Sequence, residues 1–267
     1  MKLGQSRLEA LELARGKRLS AGALERVARA TDVESAAWAF SQWDLRSRAK
    51  TKFAKADEML FVREALEQAS HEAVAAYHAS RFPYGALVTD MTTGIGADLI
   101  ALAGRGPVVG FELDPERAAY ARWNLAVYGL DGSVVVGDSV VSMPPVDYAF
   151  VDPARRVEGR RTLRLESFSP NVAHLRERLS TMKLGVIKLT PMLSDADLLS
   201  IGVGVEFVSF SRECREALVF LGSEAKPGVS AVHLESGQRV LRCPPGETAV
   251  EPGEFFFEAD PAAIRAN

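Results

Sequence analysis

The sequence has few of the residues that build metal centres or disulfide frameworks. Two cysteines, Cys214 and Cys243, and four histidines occur among its 267 residues, and none of them has a metal-ligand spacing. We therefore expect no metal site and no disulfide scaffold. No apolar run reaches the roughly 18–20 residues that cross a bilayer, and the N-terminal segment lacks the apolar centre of a secretion signal. These absences predict a cytoplasmic protein with no membrane partner.

The sequence also lacks the motifs of covalent catalysis. It contains no Gly-x-Ser-x-Gly segment, and neither cysteine lies beside a histidine in a recognisable motif. The net charge of −3 argues against a generally basic nucleic-acid binder, but residues 46–55 and 155–164 are locally basic. The first of these runs is either a solvated helix face or a phosphate contact. The second follows a predicted strand end and is expected to face a substrate.

Composition and periodicity predict a globular α/β protein. Hydrophobic residues make up 47% of the chain, and apolar residues recur near a 3.6-residue period over residues 6–80, which predicts a helical region. Beyond Pro83, short β-rich apolar runs alternate with helical stretches, as in a mostly parallel Rossmann-like sheet. Residues 205–210 and 217–222 are separated by too few residues for a crossover, so we expect an antiparallel hairpin at one sheet edge.

The segment LVTDMTTGIGADLIALA, residues 87–103, combines a predicted strand, a glycine-containing turn and a helix. In an open parallel sheet this arrangement binds a nucleotide at the carboxyl end of the strand, and Gly94 and Gly96 would form the turn. The alternative is an ordinary strand-to-helix loop. Leu99 replaces the third glycine of a dinucleotide fingerprint, which disfavours a nicotinamide cofactor. The acid Asp90 suits a ligand with a positively charged amino-acid group.

Three further strand ends carry acidic residues. Glu112 follows Asp90 by the spacing of a ribose-binding acid, and Asp138 could accept a hydrogen bond from an adenine amino group. Each acid alone could be a helix cap instead. Asp152 precedes Pro153, which fixes the backbone so that the carboxylate can face a substrate amine. Lys188, near the end of the fifth predicted strand, either reaches this site or is a structural lysine.

The motifs DMTTGIGAD, GFELDP, GD and VDPARR, in this order, resemble those of the class I S-adenosylmethionine-dependent methyltransferases. More narrowly, residues 50–70, VDPARR, VIKLTP and ECREALVFLG are similar to bacterial methyltransferases that carry a THUMP-like domain, which resemble trimethylguanosine synthase in their catalytic region. This resemblance implies a Rossmann-like methyltransferase domain at 83–222 between a helical region at 1–82 and a C-terminal extension at 223–267. The extension would be the start of a THUMP-like module, so we expect the chain to stop where that module begins.

The resemblance implies roles for individual residues. S-adenosylmethionine would be bound by a set of eight cofactor residues: Asp90, Thr92, Gly94, Gly96, Glu112, Leu113, Asp138 and Ser139. The implied catalytic residues are Asp152, Pro153 and Arg155, and the implied RNA contacts are Arg155, Arg156, Arg160 and Arg161. Ala154 and Arg155 replace the second proline and the aromatic residue of the amine-methyltransferase motif, which puts base stacking in doubt.

The predicted function is methyl transfer from S-adenosylmethionine to a base nitrogen in RNA, with guanine favoured and transfer or ribosomal RNA as the expected partner. Two alternatives stay open, because fold alone does not choose among them. The first is a methyltransferase that acts on a small molecule or a protein. The second is a non-catalytic RNA-binding module with a vestigial cofactor pocket.

Overall fold

The computed structural model describes residues 4–154, 156–157, 160–161, 164–242 and 258–266, with the main chain alone at 156–157, 160–161 and 241. The helices are α1 (Gln5–Ala14), α2 (Ala21–Ala30), α3 (Val33–Ala49), α4 (Arg63–Gln68), α5 (Glu72–Ala79), α6 (Ala97–Ala103), α7 (Pro115–Val127), α8 (Ser139–Ser142), α9 (Val172–Leu179), α10 (Asp195–Ile201) and α11 (Pro261–Ala266). The strands are β1 (Val88–Asp90), β2 (Val108–Glu112), β3 (Ser133–Val136), β4 (Tyr148–Val151), β5 (Arg156–Val157), β6 (Arg160–Arg161), β7 (Leu184–Leu189), β8 (Gly204–Phe210), β9 (Glu213–Leu221), β10 (Gly228–His233) and β11 (Gln238–Leu241).

The chain forms two compact units. The first contains the described residues up to Ala86 together with Thr93–Ser139, and the second contains Leu87–Thr92 together with the described residues from Val140 onward. The main chain therefore passes between the units at Thr92, inside the glycine-containing motif that the sequence singles out.

The first unit begins with the five helices α1–α5, which confirms the predicted helical region. Helix α2 begins after Ser20, whose hydroxyl accepts a hydrogen bond from the N–H of Ala23, and α3 begins after Asp32, whose carboxylate accepts from the N–H of Ser35. These side chains satisfy main-chain donors that have no partner within the helix. The helices bury one apolar cluster: Ala10, Leu11, Ala14, Ala23, Val27, Ala36, Ala39, Phe40, Leu60 and Tyr120.

The same unit contains the parallel pair β2–β3 with helices α6 and α7. Asp114 caps α7 by accepting from the N–H groups of Glu116 and Arg117, and Pro115 occupies the first helical turn, as its sequence position predicts. Gly110 of β2 has no room for a side chain, because a Cβ there would lie 2.3 Å from Oγ1 of Thr93. The main chain of β2 therefore packs directly against the side chain of Thr93.

The second unit contains a seven-stranded mixed sheet in the order β11-β10-β8-β9-β7-β4-β1. Strands β1, β4 and β7 run parallel to one another, and β9 is antiparallel to both β7 and β8. The predicted hairpin is thus confirmed as β8–β9. The hairpin is not the edge of the sheet, however, because β10 pairs in parallel with β8 and β11 follows it. The predicted C-terminal extension therefore contributes two strands to this sheet.

In the parts of the chain that the structure describes, no helix has the length and apolarity that a membrane crossing requires.

Candidate active site

Three charged side chains lie at the carboxyl ends of neighbouring parallel strands in the second unit. Asp90 ends β1, Asp152 directly follows β4, and Lys188 is the penultimate residue of β7. The strand register aligns Asp90 with Phe150 and Val151 with Ile187, so these ends share one edge of the sheet. We call Asp90, Asp152 and Lys188 the strand-end cluster. This edge is where open α/β sheets bind ligands.

Asp152 is held through both its main chain and its side chain. Its N–H donates to Oγ1 of Thr92 at 2.7 Å, and its Oδ2 lies 2.6 Å from Nζ of Lys188. The side chains of Asp152 and Lys188 are 34% and 15% exposed, so the pair is half-buried. Pro153 is buried and fixes the next φ angle. Asp90 is 1% exposed and accepts from the N–H of Thr92 at 3.1 Å.

The first unit carries the remaining predicted cofactor residues, which we call the loop cluster: Gly94, Gly96, Glu112, Leu113, Asp138 and Ser139. Gly94 and Gly96 adopt positive φ angles of 57° and 94°, which residues other than glycine rarely adopt. A Cβ on Gly96 would also lie 3.3 Å from Cα of Ala121, whereas the space beside Gly94 is open. The two glycines therefore serve a tight turn, as predicted, and Gly96 additionally permits close helix packing.

Glu112 is fixed by main-chain donors of the loop cluster. Its Oε2 accepts from the N–H of Gly94 at 2.8 Å, and its Oε1 accepts from the N–H of Asp114 at 2.9 Å. The main-chain carbonyl of Glu112 accepts from the N–H of Gly137 at 3.0 Å, which joins the ends of β2 and β3. Beyond β3, Asp138 is exposed and Ser139 is buried. Leu113 is 63% exposed.

Asn124 of α7 is a positioning residue that the sequence reasoning missed. Its amide is fully buried, exchanges two hydrogen bonds with the main chain of Leu60, and donates to the carbonyl of Ile95 at 2.9 Å. Ile95 lies between the two glycines of the loop. The available signal was a single asparagine in the buried stripe of α7, beside Ala121 and Leu125.

Part of the predicted substrate-facing run lies outside the described residues. Arg155 lies wholly outside them, and so do the side chains of Arg156, Arg160 and Arg161. The main chain at Arg156–Val157 pairs antiparallel with that at Arg160–Arg161. Before this ladder, Ala154 forms an isolated bridge with Ser169. The predicted RNA contacts of these arginines stay a prediction.

The basic run at residues 46–55 has intramolecular partners. Arg46 is 3% exposed and donates to the carbonyls of Met59 and Glu58. Burial lowers the pKa of its guanidinium to about 10, so it stays charged at neutral pH. The other basic side chains bind carbonyls or carboxylates: Lys52 those of Leu66, Glu67 and Ala69; Lys55 that of Val127; Arg48 that of Asp44; Lys50 that of Asp57. Arg46 and Lys52 therefore have structural roles, whereas Arg48 and Lys50, which are 59% and 58% exposed, lie on a solvated face as one of the two interpretations predicts. The phosphate contact stays a prediction.

The described residues offer neither a reactive thiol nor a metal centre. Burial raises the pKa of the Cys214 thiol to about 11, which keeps it protonated at neutral pH. Cys243 lies outside the described residues. Within the described ranges, no three His, Cys, Asp or Glu side chains are grouped so that they could hold a metal ion.

Comparison with known proteins places these motifs in a family. A scan against profiles of protein families finds no match. Two curated relatives from Mycobacterium tuberculosis, strains CDC 1551 and H37Rv, are each 31% identical over 245 residues, which is 87% of this chain and 68% of the relative. Both are named uncharacterized S-adenosylmethionine-dependent methyltransferases.

A solved structure agrees with this comparison at the level of the fold. A protein of Porphyromonas gingivalis W83, described as a candidate methyltransferase, superimposes with a TM-score of 0.71 at 23% identity. The match covers 87% of this chain and 63% of that protein, so this chain spans less than two thirds of its length. The α/β fold is therefore confirmed, and the identity with the curated relatives shows that the chain belongs to the family of S-adenosylmethionine-dependent methyltransferases.

Proposed function

We propose that this protein transfers the methyl group of S-adenosylmethionine to a nitrogen of a base in RNA, with an amino group of guanine as the favoured acceptor. One observation carries the proposal: the carboxylate of Asp152, followed by Pro153, is held at the carboxyl end of β4 by Lys188 at 2.6 Å. A fixed carboxylate beside a conformationally restricted proline is suited to accept hydrogen bonds from an amine.

The side-chain chemistry of the cofactor residues that the sequence predicts fits S-adenosylmethionine. When bound, S-adenosylmethionine supplies an electrophilic methyl group on a sulfonium centre. Asp90 is assigned to its amino group, Glu112 to its ribose hydroxyls and Asp138 to its adenine amino group, with contacts from Thr92, Leu113 and Ser139. An ionised carboxylate only accepts hydrogen bonds, which matches three groups that can all donate them. The open space beside Gly94 lets a ligand approach the main chain.

The residues of the second unit would then carry the transfer. Asp152 accepts an N–H of the acceptor amine and orients its lone pair toward the methyl group. Its negative charge stabilises the positive charge that develops on nitrogen, and it accepts the proton that the methylated nitrogen releases. Pro153 keeps the main chain after the carboxylate in one conformation.

The RNA part of the proposal is supported by the arginines that follow Asp152. Arg155, Arg156, Arg160 and Arg161 come directly after the catalytic strand, and guanidinium groups bind phosphate in a bidentate manner. The motif resemblance adds the THUMP-like subgroup and its relation to trimethylguanosine synthase to the proposal, and the cytoplasmic location predicted from the sequence is proposed with them. Arg155 occupies the position of a base-stacking aromatic, and we assign it a guanidinium stack on the base or a phosphate contact.

The test combines binding with product analysis. S-adenosylmethionine and a nicotinamide dinucleotide are titrated calorimetrically, and we expect the first alone to bind. Methyl-labelled S-adenosylmethionine is then incubated with unmodified transfer-RNA and ribosomal-RNA transcripts, a protein extract and a metabolite extract, and labelled RNA is digested to nucleosides. Label in methylguanosine that Asp152→Asn lowers about a hundredfold, with cofactor affinity retained, supports the proposal. Label only in metabolites or protein contradicts the RNA substrate, and RNA binding without any transfer indicates a vestigial cofactor pocket.

A further inference from the structure

Two lysine–aspartate pairs connect strands β4 and β7, one at each end. At the amino end, Nζ of Lys183 lies 2.8 Å from Oδ2 of Asp147. At the carboxyl end, Nζ of Lys188 lies 2.6 Å from Oδ2 of Asp152. The two pairs have the same chemistry and join the same strands. They differ in their surroundings, which makes one the natural control for the other.

The environments of the two pairs differ in a way that affects what each can do. The side chains of Lys183 and Asp147 are 51% and 59% exposed, so water and salt screen their attraction. Those of Lys188 and Asp152 are 15% and 34% exposed. Screening is weaker there, and the closer contact fixes the direction of the Asp152 carboxylate.

The main chain of Asp152 is already fixed by other groups. Its N–H donates to Oγ1 of Thr92 at 2.7 Å, and the buried ring of Pro153 restricts the residue that follows. Lys188 contacts the carboxylate itself, so it restrains the side-chain torsions that aim this carboxylate.

We propose that Lys188 is a positioning residue for methyl transfer, which aims the Asp152 carboxylate at the acceptor nitrogen. This inference rests on the proposed function. In the transfer, Asp152 accepts the proton that the nitrogen loses, while the nitrogen lone pair forms the new C–N bond and the breaking S–C bond leaves its electron pair on sulfur. A carboxylate accepts this proton only if it is ionised and within hydrogen-bond reach of the nitrogen. The ammonium group of Lys188 pairs with one carboxylate oxygen and thereby fixes the direction in which the other oxygen points.

The first experiment compares Lys188→Met, Lys188→Arg and the control Lys183→Met in methyl transfer to the unmodified RNA transcripts. Lys188→Met is expected to lower kcat at least about tenfold, which is less than the roughly hundredfold or more that proton transfer itself contributes, with little change in KM for S-adenosylmethionine. Lys188→Arg, which keeps the cation, restores kcat to within a few-fold. Lys183→Met stays within about twofold of wild type, as an exposed pair should. Because Lys188 acts through Asp152, adding Lys188→Met to Asp152→Asn lowers kcat no further.

A second measurement needs no RNA and separates failure of this inference from failure of the proposed function. Two ligands are titrated into each variant: S-adenosylhomocysteine, and an analogue of S-adenosylmethionine in which a carbon that bears an NH₃⁺ group replaces the methylated sulfur. The ratio of the two affinities is then compared between variants. Lys188→Met is expected to raise the relative affinity of the ammonium analogue at least about threefold, because a competing cation is removed from Asp152. Asp152→Asn lowers it, and Lys183→Met leaves it unchanged.

The outcomes are distinct. If Lys188→Met and Lys183→Met have the same ligand ratio and the same thermal midpoint, the pair only joins strands and the inference is overturned. If the ratio responds to Lys188→Met but wild type transfers no methyl group to RNA, the proposed substrate fails and the role of Lys188 stands. Where Lys188→Met does not fold, Lys188→Arg and Lys188→Gln replace it, and an unchanged ratio in a folded Lys188→Gln protein again overturns the inference.

Discussion

The main-chain N–H of Gly94 donates a hydrogen bond to Oε2 of Glu112 across 2.8 Å. The other carboxylate oxygen accepts from the N–H of Asp114 at 2.9 Å. Each carboxylate oxygen can accept two hydrogen bonds, so both retain a lone pair after these contacts. Glu112 is thus held at the end of β2 with one acceptor position on each oxygen, as two adjacent ribose hydroxyls require.

The first prediction concerns Glu112→Gln. The amide group has one oxygen, so it can accept from only one of the two main-chain donors, and its NH₂ group faces the other. We expect S-adenosylmethionine to bind more weakly by about 1–3 kcal/mol, on the order of tenfold or more in Kd, measured by calorimetry. Glu9→Gln makes the same chemical change at an exposed position of α1 and is the control. Equal Kd values for the two variants would remove Glu112 from the cofactor site.

The second prediction compares two buried amides that fasten neighbouring residues. Gln42, 2% exposed, exchanges two hydrogen bonds with the main chain of Phe61, and Asn124 does the same with Leu60. Asn124 alone also holds the carbonyl of Ile95 in the glycine loop. Gln42→Ala and Asn124→Ala should each lower the free energy of unfolding by about 1–3 kcal/mol, because buried main-chain groups lose partners.

The two variants should differ in cofactor binding. Asn124→Ala releases the loop between Gly94 and Gly96, so we expect S-adenosylmethionine affinity to fall about three- to tenfold, since small displacements of a positioning loop are costly. Gln42→Ala should leave this affinity unchanged. Denaturant unfolding and calorimetry on the same samples check both statements. A loss of affinity in Gln42→Ala of the same size would mean that Asn124 acts only through global stability.

The strands and their terminal acids were predictable because they rest on local patterns. Continuous β-rich runs such as residues 184–189 form the strand that the sequence predicts, and acids at strand ends follow from the motif order. The predicted hairpin at 205–222 is also local. Its place in the sheet is not local, because β10 pairs with β8 and the paired residues are distant in sequence. Local periodicity carries no information on such pairings.

The partners of buried polar groups were not predictable for the same reason. In the sequence Arg46 and Lys52 are members of a basic run, yet in the structure they donate hydrogen bonds to main-chain carbonyls 12 to 17 residues further along the chain. The sequence allows either a structural or a site role for Lys188, and only the structure shows that it pairs with Asp152. Charge and spacing state what a side chain offers, and only the tertiary structure states what accepts it.

The third prediction concerns Arg265 of α11. Its guanidinium donates to the carbonyls of Pro191 and Leu193 at 2.7 and 2.5 Å and lies 4.4 Å from the ring centre of Phe207. Arg265→Ala should therefore lower the free energy of unfolding by about 2–4 kcal/mol, the combined value of charge-assisted hydrogen bonds and a cation–π contact. Arg29→Ala, which removes an exposed pair with Glu25, should change it by less than about 0.5 kcal/mol. Denaturant unfolding measures both, and equal losses would show that Arg265 does not hold α11 in place.

The fourth prediction is a pH dependence that Asp195 adds to the same contacts. Burial raises the pKa of its carboxyl, but hydrogen bonds from Arg265 and Arg242 outweigh this effect and bring the pKa below its ordinary value of 3.8.

A carboxyl whose pKa is lower in the folded state stabilises the protein above pH 3.8, and this contribution is lost as pH falls through the folded-state pKa. Asp195→Asn should therefore be less stable than wild type at pH 7, and the difference should shrink as pH falls below 3.8. Asp197→Asn makes the same change on the same helix, at a carboxylate bonded to the Ser194 hydroxyl, and is the matched control for the substitution itself. Free energies of unfolding measured from pH 7 to pH 2.5 check this, and parallel curves for wild type and Asp195→Asn would refute the assigned role of the two arginines.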